Sequence, residues 1–437
     1  MDQGDLKYTA ATVIIDMDEP YVQSILESSF AKYAPLIAIR TGSSASEPDS
    51  EGLEHKHSAQ SDNPSCSLMH WREYERINWD TVHRSTNVFS NAYCIRKGLI
   101  RKAQMSFNIK LYMAKHPESI LKTGVPETWL FDLDDVDYLD EALMECYEVE
   151  DGMKENEGIS NPRERQQFIL KPSLTGRAAG IHIFDTRERL EALLEKEFES
   201  DSEEEDEEQS QTQSSYEMVS QIREWVVQRY INKPLLLKSH DERKFHIRVY
   251  TLATGDFNVY VYRHMLALFA PQPYRQSAND LDNQRAHLTN TCIQEKHDEF
   301  DESKAVDLFW HLDLAQEKLD SIFDQICRIL SDTFAAVSSE TTSFQTWPNC
   351  MEQFGFDFLV DESCNVYLLE ANAYPDFKQT GEGLKSVVEG FMAASVAAAV
   401  EKFLLDKDMI TDGLRRMMDN DRTDLIEIFS RKTERKW

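Results

Sequence analysis

The sequence predicts an α+β (mixed α/β) fold whose sheets are mainly antiparallel. Three observations carry this. The chain opens on a strand-like run, "ATVIID", followed by a helical one, "YVQSILESSFAKYA". From Gln167 onward it turns into short apolar strands bounded by turn residues. Strands and helices then mix without the strict alternation of a doubly wound parallel sheet. At 437 residues the chain is long enough for two or three packed lobes.

In order, residues 1–92 read as a small N-terminal α/β domain. Within it, 41–67 is polar and poor in apolar side chains, which predicts a flexible loop. A central helical region covers 93–165. One helix is predicted over "CIRKGLIRKAQMSFNIKLYMAKHP", with Arg96, Lys97, Arg101 and Lys102 clustered against an acidic background. The acidic amphipathic "DDVDYLDEALMECYEV" follows. Residues 166–405 form the core. Its strands are "QFIL", "GIHIF", "EWVVQRYI", "KFHIRVYTLAT" and "FNVYVYRHMLALFA", and a long helix fits "DLFWHLDLAQEKLDSIFDQICRILSDTFAAV". The hairpin "FGFDFLVDESCNVYLLEANAYPDF" and the helical "LKSVVEGFMAASVAAAVEKFLL" close the core. Residues 406–437 read as a charged helical tail.

The formal net charge is -31, with 41% hydrophobic and 10% aromatic residues. Eight of the ten residues Glu199–Glu208 are acidic. A disordered, solvated insertion over about 199–215 is the plain expectation for this tract. A second reading has it imitate an acidic protein tail or occupy a basic cleft. The acidic balance argues against a basic nucleic-acid footprint. Seven scattered cysteines with no CxxC pair point to reduced thiols rather than to zinc or a disulfide framework. No run reaches the roughly 18 apolar residues of a membrane helix, and "MDQGDLKYTAATVIID" lacks signal-peptide features. The expectation is a cytoplasmic protein.

The closing hairpin raises a chemical question, because Asp357, Glu370 and Asn372 interrupt its apolar strands. With a four-residue loop, Glu362 to Asn365, Asp361 pairs with Val366 and Asp357 falls opposite Glu370. Their side chains then lie roughly 5 Å apart on one face. Asn372, two residues on, shares that face. Facing carboxylates want a proton or a cation between them, and hard oxygens on a rigid sheet suit Mg²⁺. An exposed face that tolerates acids is the alternative.

Other segments read two ways when taken singly. No GxxxxGK[ST] occurs, but Lys171 ends a strand before the small-residue loop containing Ser173, Gly176, Ala179 and Gly180. That pattern fits either a phosphate cradle or an ordinary hairpin turn. "EWVVQRYI" fits an adenine-binding hinge or an edge strand, with Gln228 and Tyr230 on one face and Arg229 and Ile231 on the other. Lys244, His246 and Arg248 share one strand face, fit to hold anions or to meet solvent. Thr289 and Asn290 sit in a polar turn.

Taken in order, "FILKPS", "WVVQRYINKPLLL", "RKFHIRVY", "HLTN" and "FGFDFLVD…VYLLEANAYP" resemble the ATP-grasp superfamily, and within it the tubulin–tyrosine ligase-like family. The resemblance covers roughly Tyr93 to Val400. It is closest to fungal members, including the ligase-like domain of a P-body-associated protein. It implies an ATP-grasp fold in which two small antiparallel sheets clasp ATP. It implies that Lys171 meets the ATP phosphates and that Gln228, Arg229, Tyr230 and Ile231 surround adenine. Lys244 and Arg248 would serve the ribose, the phosphates and the reacting carboxylate, and Arg263 the acyl-phosphate region. Thr289 and Asn290 would approach the terminal phosphate or the incoming amino acid. Asp357, Glu370 and Asn372 would hold Mg²⁺, and Lys102 would reach in from the preceding region. His246 stands where the family often has an acid, which puts the adenosine contact there in question.

The activity implied is ATP- and Mg²⁺-dependent joining of an amino acid to a protein carboxylate through an acyl phosphate. Tyrosine addition to the α-tubulin C-terminal tail leads, and glutamate ligation to that or another acidic tail follows. A non-catalytic nucleotide-binding module serving mRNA-decapping or P-body proteins is the alternative, and P-bodies would then be its location.

Overall fold

A computed structural model describes residues 9–41, 67–161, 164–173, 180–207, 224–275, 281–289, 302–373, 375, 377, 384–405 and 407–431. The predicted loop 41–67, apart from its two end residues, lies outside them. So do 208–215 of the acidic tract and the middle of the small-residue loop, 174–179. Where an insertion without structure is expected from about 199, the backbone from Arg187 is helical through Glu207. Its sequence is rich in glutamate and leucine, both good helix formers.

Three sheets organise the chain. The first holds β1 (Ala11–Asp16), β2 (Ile37–Thr41), β3 (Ser67–Arg72) and β4 (Val88–Ser90) in the order β2-β1-β3-β4, all parallel. The helix Pro20–Ala31 crosses from β1 to β2 and buries Val22, Ile25, Leu26 and Phe30. It begins with proline, whose missing N–H costs nothing at a helix start.

The second sheet is antiparallel, β5 (Thr128–Asp132), β8 (Glu224–Arg229), β6 (Phe168–Pro172) and β7 (His182–Phe184) in that order. Helices Leu139–Glu145, Tyr147–Glu157 and Arg187–Glu207 accompany it. Trp129, Phe168, Phe184 and Leu190 belong to their common core.

The third and largest sheet centres on β9 (Arg243–Thr254), buried along its whole length. The strands β10 (Asn258–Tyr262) and β11 (Leu266–Pro273) pair with successive parts of β9, and β13 (Met351–Val360) pairs with it as well. β12 (Val306–Leu308) joins β11, and β14 (Val366–Ala373) joins β13. The 23-residue helix Gln316–Ser338 buries Ile322, Ile326, Ile329, Leu330 and Phe334. These join Ile247, Val249, Phe356 and Phe358 of the sheet in one core. The helix Lys385–Ala399 belongs to the other core, with Tyr250 and Leu252. The first sheet shares that second core, and Phe89 of β4 meets Phe403 at 5.1 Å.

Two predicted elements differ. The single helix over 94–117 is two, Lys97–Ile100 and Lys102–Lys115, because Arg101 takes an extended conformation with ψ of 123°. The tail is not wholly helical either. After the helix Asp412–Asp421, residues Leu425–Ser430 form β15 and extend the large sheet beside β10. "LIEIFS" is rich in β-branched and aromatic residues, which favour a strand. Among the described residues, no helix is long and apolar enough to cross a membrane, and Cys94, Cys146, Cys327, Cys350 and Cys364 are free thiols.

One buried ion pair ties the central segment to the large sheet. Glu352 of β13, 3% exposed, accepts the Arg96 guanidinium, and it also accepts the Tyr93 N–H at 3.0 Å. Removing one partner strands the other in a water-poor setting. Glu352→Ala should therefore lower stability by about 3 kcal/mol, read as a shifted urea midpoint. An unchanged midpoint would contradict this.

Candidate active site

The second and third sheets face each other across a cavity of about 710 Å³. Strand periodicity decides what enters it. Along β9, Phe245, Ile247 and Val249 point into the helix-side core, so Lys244 and His246 point to the cavity. Arg248 shares their face and lies opposite Asp357 in the β9–β13 register.

The hairpin reaches the predicted pairing by a different route. Val360, not Asp361, pairs with Val366. Asp361 instead closes the turn, its Oδ1 accepting the N–H groups of Ser363 at 2.9 Å and Asn365 at 2.8 Å. Continued regularly, that register would set Asp357 opposite Leu369. A bulge between Asp357 and Phe358 restores Asp357 opposite Glu370. The bulge also breaks the alternation on β14. Leu368 stays in the core, while both Leu369 and Glu370 line the cavity.

The charges interlock. Arg248 donates to Asp357 at 2.5 and 3.1 Å. Lys102, the first residue of its helix, places Nζ 3.4 Å from Glu370 Oε2. Asn372 Nδ2 lies 3.4 Å from Glu370 Oε1. Lys171 on β6 donates to Gln228 Oε1 on β8 at 2.7 Å, and Gln228 Nε2 donates to Thr128 Oγ1 on β5 at 3.1 Å. Lys244 donates to the Tyr230 hydroxyl at 3.0 Å, which meets His287 Nδ1 at 2.7 Å. His246 Nδ1 meets Thr289 Oγ1 at 2.5 Å.

Burial dominates the titration of this cluster. It pushes the Lys171 ammonium down to about 8, with Lys102 adding to the fall and Glu370 opposing it. Burial and then the Lys171 charge push Lys244 down to about 7. Burial also lowers His246 against the pull of Asp357. Burial alone would raise Glu370, but Lys102, Lys171 and Arg248 outweigh it and hold that carboxyl well below the usual range. The cleft therefore gathers more cationic than anionic groups in a water-poor space. His246 Nε2 is buried there with no hydrogen-bond partner, 3.6 Å from Asp357. Such a site suits a polyanion with hydrogen-bonding groups.

A divalent cation fits the donor set. Asp357 and Glu370 oppose each other with Asn372 beside Glu370, all hard oxygen donors. Among the described residues, no cluster of three or more His, Cys, Asp or Glu side chains is found that could hold an ion. A Mg²⁺ ion here would complete its shell from ligand phosphates and water, its usual habit.

Most of the predicted residues meet in this cavity: Lys171, Gln228, Arg229, Tyr230, Ile231, Lys244, His246, Thr289, Asp357 and Glu370 all line it. The Arg229 guanidinium turns outward, 4.7 Å from the Phe168 ring centre. Arg263 does not take part. It follows β10 and lays its guanidinium over Trp310, 4.5 Å from the ring centre, on the helix side of the sheet. Asn290 lies outside the described residues. His287 is a new member, and Thr128 joins from behind through its bond to Gln228. His287 precedes Thr289 by two residues in "RAHLTNT", which is the one hint the sequence offers.

The family model described as the tubulin-tyrosine ligase family matches residues 77–407. A probable tubulin–tyrosine ligase of Schizosaccharomyces pombe is 42% identical over 341 residues, covering 76% of this chain and 82% of the relative. The probable tubulin–tyrosine ligase PBY1 of Saccharomyces cerevisiae is 35% identical over 429 residues, covering 94% of this chain. This chain spans only 55% of that relative's length. A crystal structure of the C-terminal domain of K. lactis Pby1, described as an ATP-grasp enzyme interacting with the mRNA decapping enzyme Dcp2, aligns with a TM-score of 0.66 at 29% identity. It covers 97% of this chain and 100% of that domain. The fold is thus the ATP-grasp fold, its antiparallel sheets facing across the cavity.

Lys244 supplies a test that needs no ligand. Its ammonium titrates near 7 when folded and near 10.5 when free. Between those values the unfolded chain binds more protons, so the stability linked to Lys244 is full above about 10.5 and lost as pH falls to about 7. Lys244→Met should flatten that rise and increase the denaturation midpoint at pH 7. A midpoint that drops at pH 7 would show that the ammonium is not strained by burial.

Proposed function

The chain belongs to the tubulin-tyrosine ligase family, and from that premise we propose that it is an ATP- and Mg²⁺-dependent carboxylate–amine ligase acting on a protein tail. The observation that carries this is the meeting of Lys171 and Lys244, from the two facing sheets, with Asp357 and Glu370 in one cavity, where Arg248 backs Asp357. Tyrosine addition to the C-terminal tail of α-tubulin is the lead activity. Glutamate ligation to that or another acidic tail is the variant of the same chemistry.

In this reading Lys171 and Lys244 grip the ATP phosphates, and arrival of those anions raises both ammonium pKa values toward full charge. Gln228, held by Lys171 and Thr128, and Tyr230, held by Lys244 and His287, form the adenine side of the cleft. Arg229 and Ile231 flank it through their place on the strand. His246 and Thr289 reach the ribose or phosphate groups. Asp357, Glu370 and Asn372 hold Mg²⁺, which when bound neutralises charge on the transferring phosphate. Arg248 and Lys102 orient the acceptor carboxylate.

The carboxylate oxygen attacks the γ-phosphorus, a C–O–P linkage forms, and ADP leaves. The neutral amine of the free amino acid then attacks the acyl carbon, the C–O bond breaks, phosphate leaves and the nitrogen loses a proton. The chain contributes charge stabilisation and exclusion of water rather than a nucleophile. Arg263, on the far face of the sheet, has no part in this mechanism.

A second reading is favoured by the Dcp2 association described for the K. lactis Pby1 domain. There the fold would bind nucleotide and serve decapping complexes in cytoplasmic P-bodies without turnover. The assay that separates the two incubates the protein with Mg-ATP, each labelled amino acid and α-tubulin or other acidic tail peptides. Mass spectrometry should find one added residue, and Glu370→Gln should cut the rate on the order of 10²-fold or more. Clear Mg-ATP binding with no added residue on any tail would favour the interaction module.

A further inference from the structure

A second concavity lies behind the hinge strand. It is a groove of about 1090 Å³ between the helix Lys102–Lys115 and the β5–β8 edge of the second sheet. Its floor is apolar, formed by Met105, Ile109, Leu121 and Leu368 with the half-buried Met113 above them. Lys110 and Lys122 are exposed on its walls. Two carboxylates also line it. Glu127 pairs with Arg229 at 3.1 Å, and Glu148 accepts the Trp129 indole N–H at 3.1 Å. No ion pair is formed by Lys110 or Lys122 among the described residues. In a chain with a net charge of -31, a groove whose cations, Lys110, Lys122 and Arg229, outnumber its carboxylates, Glu127 and Glu148, is a local reversal of sign.

We propose that this groove is a docking site, separate from the catalytic cleft, for an acidic peptide segment of a partner protein carrying an aliphatic or aromatic anchor. The anchor fills the trough between Met105, Ile109 and Met113, removing apolar surface from water. Its acidic neighbours meet Lys110 and Lys122, which set charge preference and speed encounter more than they set affinity.

The groove also touches the nucleotide cleft through shared residues. Gln228 and Arg229 line both spaces. Thr128, on the groove wall, accepts from Gln228, and Gln228 accepts from Lys171 at 2.7 Å. An occupant that displaces Thr128 loosens the acceptor held against Lys171. Docking and nucleotide binding are therefore coupled, and by thermodynamic reciprocity each changes the other's affinity equally. This coupling rests on the nucleotide reading of the cleft, whereas the docking itself does not.

Fluorescence anisotropy on the full chain tests it. The probe is a labelled twelve-residue peptide of aspartate and glutamate with one central phenylalanine; controls replace that phenylalanine with serine or the acids with lysine. The acidic anchored peptide should bind best and weaken as salt rises. Lys110→Glu with Lys122→Glu should weaken it about tenfold, which corresponds to about 1.4 kcal/mol. Met113→Asp should do so independently. Saturating Mg-ATP should shift the affinity without abolishing binding. Complete displacement by Mg-ATP would place the peptide in the catalytic cleft and overturn the proposal. So would equal binding by wild type and the double lysine variant, or no preference for the phenylalanine. Peptide binding that persists while Mg-ATP shows no affinity for the protein would retain the docking site and sink the nucleotide reading instead.

Discussion

Lys171, Lys244, Arg248 and Lys102 would repel one another around a largely buried cleft, and the carboxylates of Asp357 and Glu370 offset that repulsion. Much of the local architecture serves that balance. Asp357 takes both contacts of the Arg248 fork. Glu370 faces Lys102 and feels the charge of Lys171. The balance is incomplete, because both lysines remain depressed by burial. A cluster in this condition is poised to accept further negative charge, and under the proposed function a nucleotide with its metal would supply it.

Keeping such a cluster in place requires rigid supports from several directions. β9 and β13 are buried along their entire lengths, and the Gln316–Ser338 helix covers the face opposite the charges. The second sheet brings Lys171 and Gln228 from the other side, with its own core of Trp129, Phe168 and Phe184 beneath them. The helix Lys102–Lys115 adds one lysine at its first residue, and the extended Arg101 just before it redirects the chain there. Removing any one support would let the cations separate, which is the cheaper arrangement electrostatically. Apolar packing thus adds to the two carboxylates in holding the cations together.

Membership in the tubulin-tyrosine ligase family and likeness to the Pby1 domain give this cluster a chemical context. His246 is the notable local choice, an imidazole lowered by burial where a carboxylate would have added to the negative side of the balance. With histidine there the cleft keeps a larger excess of positive charge. The Nε2 of that ring is buried without a hydrogen bond, 3.6 Å from Asp357.

The sequence by itself determined the strand faces, because a period of two is a local property. It placed Lys244 with His246 and Arg248, and Glu370 with Asn372. It determined the fold class and the order of the motifs for the same reason. It could not determine contacts between elements remote along the chain. The Lys171–Gln228–Thr128 relay joins three strands, and the place of His287 under Tyr230 depends on how a loop meets the hinge. Arg263 shows the limit clearly. The family resemblance implied a place beside the acyl phosphate, but the sheet turns it toward Trp310 on the opposite face. Residues Leu425–Ser430 of the tail likewise form a strand where β10 offers an edge to pair with. Even the Asp357–Glu370 pairing, right by counting, rests on a turn one residue longer and a bulge that compensates for it. Only tertiary structure settles such matters, since register, bulges and sheet edges follow from burial summed over the whole core.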